Sequence, residues 1–237
     1  MNVPLKLTLL GIAGNTKSGK DTLAKFLAGE YQCSITHFAD TFKKIVKDVF
    51  AFSDDQLWGD SKNVPDTRYP FSGICPIDHA QCSYSEDDKL WRCSICGKSY
   101  EKFLTPRFTM HTLGTEWGRT MYANVWIDMT LRQIQQAFQR ENKHRWIIAD
   151  LRMKQEVDAV HKAGGAVVRI KRNIPVEHSW HATESELLAM PDSMFDSVID
   201  NNGTLDELKT KAHELGETLF SHSWRRALAR RYEIYVS

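Results

Sequence analysis

Residues 6–31 read KLTLLGIAGNTKSGKDTLAKFLAGEY. The opening KLTLLGIA (6–13) is a continuous apolar run, as a strand buried on both faces of a parallel sheet requires. The closing DTLAKFLAGEY (21–31) places Leu23, Phe26 and Leu27 at helical spacing, with Gly29 as the expected stop. Between them Gly14-Asn15-Thr16-Lys17-Ser18-Gly19-Lys20 fits the pattern G-x-x-x-x-G-K. Glycines let such a loop curl its backbone N–H groups inwards around phosphate oxygens, and the helix that follows turns its positive end to the same anion. Lys20 would reach the β- and γ-phosphates of ATP. The usual Ser/Thr after the lysine is Asp21 here, and a hydroxyl for magnesium comes one place later, at Thr22. Gly14, Lys17, Ser18, Gly19, Lys20, Asp21 and Thr22 are therefore the candidates for holding ATP and Mg2+. The competing account is a tight turn that binds nothing; strand, loop and helix in this order argue against it.

Working outward, 34–38 (SITHF) predicts a second short strand. DTFKKIVKDVF (40–50) predicts an amphipathic helix with Phe42, Ile45, Val46, Val49 and Phe50 on one face. A helix is expected near 123–140, a central strand at RWIIAD (145–150) and a helix over 155–164. A strand follows at 166–172 and a brief strand and loop at 197–203, then a helix over 204–220 capped by Thr204 with Glu207 three residues on. Alternating strands and helices predict an α/β protein: a P-loop NTPase three-layer fold with a parallel sheet flanked by helices. The core is expected over 1–54 and 105–237. Regular periodicity fails over 55–104, which reads as an insertion, and the polar stretch 173–195 has the character of a lid.

With 31 Lys and Arg against 30 Asp and Glu, the formal net charge is +1. That balance gives no global drive towards nucleic acid or an acidic membrane surface. No apolar run is long enough to span a membrane and no cleavable leader is visible, so the cytoplasm is the expected location. A short basic run with interleaved aromatics, Trp224 to Tyr232, is expected to form an amphipathic surface helix.

Four of the five cysteines lie in the insertion: Cys75-x6-Cys82 and Cys93-x2-Cys96. In a chain without a secretion signal such clustering points to metal, and the pattern resembles a small zinc ribbon with Cys75, Cys82, Cys93 and Cys96 as ligands. Six residues within the first pair is wide, and His79 could replace one cysteine. Four protein ligands would make the zinc structural; the alternative is reduced cysteines in a loop.

The loop GNTKSGKDT is similar to that of the deoxynucleoside monophosphate kinases of bacteriophages. FADTFKKIVKDVF (38–50), TPRFTMHTLGTEWGR (105–119), ADLRMKQEVDAVHKAGG (149–165) and VIDNNGTLDEL (198–208) resemble that family too, in its order. The resemblance implies ATP-dependent phosphoryl transfer to a deoxynucleoside 5′-monophosphate, and the host cytoplasm as location. It implies that Lys20, Arg119 and Asp150 are catalytic, with Asp150 and Thr22 on magnesium. Asp40, Arg107, Trp117, Arg119 and Arg152 would bind the acceptor, and Arg172 and Asn202 would join the ATP site. Asp40 and Asp150 also suit helix N-caps, and Trp117 also suits a core position. His111 stands where the family often has glutamine, and ADLR replaces two adjacent acids. A homodimer stays open. So do two other accounts: a P-loop kinase for a different small metabolite, such as dephospho-coenzyme A, and an ATP-binding, zinc-containing regulatory or nucleic-acid-binding protein.

Overall fold

Strands and helices alternate over most of the computed structural model, which describes residues 7–173 and 182–220. β1 (Thr8–Ala13) leads through the glycine loop into α1 (Lys20–Tyr31), followed by β2 (Ser34–Thr36), α2 (Asp40–Phe50) and α3 (Asp54–Trp58). Next come β3 (Cys82–Ser85), β4 (Leu90–Cys93), β5 (Ser99–Glu101), α4 (Pro106–His111), a π-helical segment Thr112–Arg119 and α5 (Val125–Glu141). The chain continues through β6 (Arg145–Leu151), α6 (Lys154–Lys162), β7 (Ala166–Lys171), α7 (Ala182–Ala189), β8 (Ser197–Asp200) and α8 (Leu205–Phe220). It divides into two compact units, Met1–Phe38 with Ile127–Ser237, and Ala39–Trp126.

The first unit is a five-stranded sheet in the order β2-β6-β1-β7-β8, with every pairing parallel. β1 is the central strand, which is why its apolar run is unbroken. Leu10 and Ile12 pack with Leu23 and Leu27 of α1 and Leu208 and Ala212 of α8. Leu9 and Ala13 pack with Ile127 and Ile134 of α5 and Val157 and Val160 of α6 on the other side. These are the three layers expected for a P-loop NTPase fold.

Local boundaries differ from the expectation for identifiable reasons. α1 runs past Gly29 to Tyr31, because the stop is the left-handed residue Gln32 (φ 53°) and because the Tyr31 hydroxyl ties the last turn to the His213 carbonyl and Glu217 of α8. β2 ends at Thr36, two residues early: the Phe38 N–H donates to Asp150 Oδ1 instead of to a strand. The α8 cap forms as predicted, Thr204 Oγ1 accepting from the Glu207 N–H at 3.2 Å. Of the lid segment 173–195, residues 174–181 lie outside the described residues, and 182–189 form α7, whose Leu187 is buried. The basic run 224–232 also lies outside them.

In the second unit, Val46, Phe52, Leu57 and Met110 form a core with Phe42, Phe50 and Tyr69. Ile45 and Val49, expected on the buried face of α2, are exposed. The insertion contains order that periodicity does not reveal: an antiparallel sheet β3-β4-β5, with Phe71 stacked on Tyr100.

Candidate functional site

The loop between β1 and α1 is held in a shape that ordinary side chains resist. Gly19 has φ 98° and Lys17 φ 64°, both left-handed. A Cβ on Gly19 would overlap Asn201 Nδ2, and one on Gly14 would stand 2.5 Å from Ser18 Oγ. The Ser18 N–H donates back to the Asn15 carbonyl at 3.1 Å, closing the turn. Asn201, 6% exposed at the end of β8, donates through Nδ2 to the Ser18 carbonyl at 2.9 Å and braces the loop from behind.

Inside the curl, polar groups are buried without the partners they normally need. The Ser18 hydroxyl (1% exposed) and Asn15 Oδ1 have no hydrogen-bond partner among the described residues. Beside them Lys20 is 7% exposed, and its ammonium donates to the Asn15 carbonyl at 3.4 Å. Burying such groups costs free energy unless something satisfies them. A phosphate supplies acceptors for the serine hydroxyl, the lysine and the loop N–H groups together. Asp21 is exposed on the first turn of α1; the His37 ring, 3.8 Å away, and the nearby Lys20 charge hold its carboxyl below the usual range. Thr22 follows, half-buried.

Asp150 comes to this end of the sheet through an irregularity in the β1–β6 ladder. Gly11 faces Ile148 and Ala13 faces Leu151, so β6 carries one extra residue opposite Ile12. Such bulges re-aim side chains. Asp150 is no helix N-cap; α6 starts after Met153, and Glu156 receives the N–H groups of Arg152 and Met153. Hydroxyl and carboxylate oxygens at Thr22 and Asp150 are the hard donors that magnesium takes. Arg172 lies exposed just past β7. Asn202 is exposed, accepting the Asn173 N–H at 2.7 Å and donating to Asp200.

The other predicted residues stand in the second unit. Asp40 is the first residue of α2 rather than its cap, and its carboxylate accepts from Trp58 Nε1 at 3.3 Å. Arg107 donates from Nε to Asn63 Oδ1 at 2.6 Å. Trp117 is 50% exposed, so it is not a core residue, and Arg119 is half-buried. Both belong to the π-helical segment, a rare conformation often found at functional positions. Its cause is packing: the Trp126 indole lies against Gly118 and donates to the Gly114 carbonyl at 2.7 Å, while Gly114 meets the Phe42 ring. His111 pairs with Glu116 at 3.0 Å.

Cys75, Cys93 and Cys96 converge with Asp78, their ligand atoms all within 4.8 Å of one another. Cys82 faces Cys93 across the β3–β4 ladder but stands outside that group.

The sequence model of the family described as deoxynucleotide monophosphate kinase matches residues 77–212, more than half of the chain. This chain belongs to the deoxynucleotide monophosphate kinase family. As a member it is a nucleotide kinase, a phosphotransferase that works with ATP and magnesium. The match takes in most of the cysteine-bearing region and stops short of the glycine loop, so the loop geometry is independent support for the same chemistry. A provisionally named deoxynucleotide monophosphate kinase of Acanthamoeba polyphaga mimivirus is 26% identical over 204 residues, covering 85% of this chain and 92% of its own. Among solved structures, a dephospho-CoA kinase from Campylobacter jejuni aligns with a TM-score of 0.44 at 12% identity, over 87% of this chain and 94% of its own. The protein TT1252 from Thermus thermophilus aligns with a TM-score of 0.43 at 15% identity, over 90% of this chain and 98% of its own. No helix among the described residues of this kinase is long and apolar enough to cross a membrane.

Sequence reasoning missed Asn201 and Asp78. Asn201 had a local signal, an amide beside the chosen Asn202, but only the sheet order shows which of the two turns inward. Asp78 had a better one: Cys75-x2-Asp78 repeats the spacing of Cys93-x2-Cys96.

Proposed function

We propose that this kinase transfers the γ-phosphoryl group of ATP to a deoxynucleoside 5′-monophosphate, giving the diphosphate. The observation that carries the donor half is the loop with its buried, unsatisfied Ser18 hydroxyl and buried Lys20. In this reading the loop N–H groups, Ser18 and Lys20 hold the β- and γ-phosphates, and Lys20 follows the charge as the phosphoryl group moves. Phosphoryl transfer asks little covalent chemistry of a protein; positioning and charge stabilisation supply the rate. Thr22 and Asp150 would hold the magnesium, which when bound neutralises charge on the phosphates. Arg172 and Asn202 belong to the nucleotide side. Asp40, Arg107, Trp117, Arg119 and Arg152 are assigned to the acceptor, whose 5′-phosphate suits the bidentate fork of arginine. Family membership and the name of the mimivirus relative support the deoxynucleotide as acceptor. A zinc ion, where the cysteine cluster holds one, takes no part in this step.

The test is ADP production from ATP and magnesium with a panel of deoxynucleoside and nucleoside monophosphates, beside Lys20→Ala. Turnover on one or a few deoxynucleotides, lost in the variant, is the expected result. Turnover only on ribonucleotides or on a non-nucleotide acceptor would overturn the substrate assignment while leaving the phosphotransferase standing.

A further inference from the structure

Residues 75–80 and 93–98 are two copies of one turn. In the first, the Cys75 N–H donates to the Ala80 carbonyl at 2.9 Å and the His79 N–H to the Cys75 carbonyl at 3.0 Å. In the second, the Cys93 N–H donates to the Lys98 carbonyl at 3.0 Å and the Gly97 N–H to the Cys93 carbonyl at 3.1 Å. The fifth residue of each is left-handed, His79 at φ 60° and Gly97 at φ 69°. The sulfur of the leading cysteine is treated alike in both. Ile95 and Cys96 donate their N–H groups to Cys93 Sγ at 3.4 and 3.5 Å, and Ile77 and Asp78 donate theirs to Cys75. The equivalence extends to the fourth position, where the Ala80 N–H meets Asp78 Oδ1 at 3.1 Å and the Lys98 N–H meets the Cys96 thiol. Asp78 thus occupies the place in the first turn that Cys96 occupies in the second.

The two turns face each other. Cys75 Sγ lies 3.7 Å from Cys96 Sγ, and Cys93 Sγ lies 3.2 Å from the Asp78 carboxylate. A tetrahedral zinc with Zn–S bonds of about 2.3 Å sets its sulfurs about 3.8 Å apart. N–H groups aimed at the sulfurs are the outer-shell support that thiolate ligands to a metal require, and Tyr100 Oη, 3.0 Å from Cys75 Sγ, adds to it. The sheet carrying the turns has strands of only four, four and three residues. A sheet so small needs more than its own apolar contacts to persist.

We propose that the second unit holds a structural zinc ion through Cys75, Asp78, Cys93 and Cys96, three thiolates and one carboxylate, with Cys82 outside the ligand set. Four protein ligands close the coordination sphere, so the ion shapes the small sheet and performs no catalysis. Cys82 shares the apolar cluster of Cys75, Cys93, Phe71 and Tyr100 but is not among the four residues whose ligand atoms lie within 4.8 Å of one another.

The experiment measures zinc per chain in the full-length protein purified under reducing conditions, and retention against a chelator, for the wild type, Asp78→Ala, Asp78→Cys, Cys82→Ser and Cys96→Ser. Cobalt is then exchanged for zinc, and its sulfur charge-transfer band is read per metal, since that band grows with the number of thiolates. One zinc per chain is expected, kept by Cys82→Ser with an unchanged cobalt band. Asp78→Cys keeps the metal and gains about one third in band intensity, three thiolates becoming four. Asp78→Ala and Cys96→Ser release zinc to the chelator at least about 100-fold more readily. Loss of the metal in Cys82→Ser with retention in Asp78→Ala would overturn the assignment in favour of four cysteines. A zinc-free protein, whether reduced or with its cysteines joined as disulfides, would overturn the site itself. Asp78→Cys guards against misfolding, since it restores a common ligand set and should fold even where Asp78→Ala does not.

Discussion

The glycine loop and the cysteine turns solve the same problem with opposite charges. Each needs residues in the left-handed region, Lys17 and Gly19 in the loop, His79 and Gly97 in the turns. In the loop, the buried Ser18 hydroxyl and Lys20 line the place proposed for an anion; in the turns, N–H groups face sulfur, and the sulfurs and Asp78 converge on the place proposed for a cation. The difference is in what holds the shape. The loop is mounted on β1, whose core positions are almost all fully buried, and Asn201 braces it from β8. The turns are mounted on antiparallel strands of four, four and three residues. One site should keep its geometry empty; the other should owe its geometry to the ion.

The largest expected effect breaks that comparison at its weaker half. Stripping zinc should abolish amide protection in β3, β4 and β5, because the binding free energy of a structural zinc is folding free energy, about 10–16 kcal/mol in small zinc peptides. Protection in β1, β6 and β7 should be unchanged. Hydrogen exchange followed by mass spectrometry checks this, and equal loss in both sheets would show that the units do not differ as argued. Next in size is Lys20→Ala, which should lower kcat about 10²–10³-fold, the scale for removing one electrostatic contact to a transition state. The melting temperature should move little, since the lysine is assigned to the phosphates and belongs to neither apolar core cluster of the first unit.

A smaller effect probes the brace. Asn201→Ala leaves the Ser18 carbonyl buried without its donor, at a cost of about 1–3 kcal/mol in urea unfolding. It should also weaken ATP binding. Asn202→Ala, on an exposed amide, should cost less than about 0.5 kcal/mol. Equal losses of stability at the two positions would show that Asn201 does not brace the loop.

Legibility in the sequence divides along the same line. β1, the loop and α1 were legible because their signals are contiguous: a doubly buried strand must be apolar throughout, and a phosphate loop must be rich in glycine. The five-stranded parallel sheet followed from repeated alternation of such runs. Asn201 was not legible as a brace because it meets Ser18 across 183 positions of sequence, brought together only when β8 takes its place at the sheet edge. The strands of the insertion are too short for alternation to register, and looking only to cysteine and histidine for ligands hides Asp78. The π-helical segment escapes too, since nothing local announces that Trp126 will lie on Gly118.

The smallest effect sharpens the comparison by separating ordinary acid sensitivity from loss of zinc. Asp66, in the second unit, accepts from Arg68 Nε at 2.9 Å and Nη2 at 2.7 Å and from Gln56 Nε2 at 3.0 Å. Those bonds, the arginine's first, hold its carboxyl far below the usual carboxylate range. A folded-state value lower than the unfolded one, about 3.9, contributes stability that is fully present above that pH. It is lost only as pH falls from about 4 through the folded value. Because the Arg68 side chain is half exposed, the contribution should stay below about 1 kcal/mol. The melting-temperature gap between wild type and Asp66→Asn should therefore be constant from pH 8 to about 5 and close below about 4. At the proposed zinc site, metal content measured alongside should fall as the thiolates take up protons, whichever residue stands at position 66. A gap that closed in step with zinc loss would mean that this carboxylate has no stability of its own to give, and that the ion alone carries the acid sensitivity of the second unit.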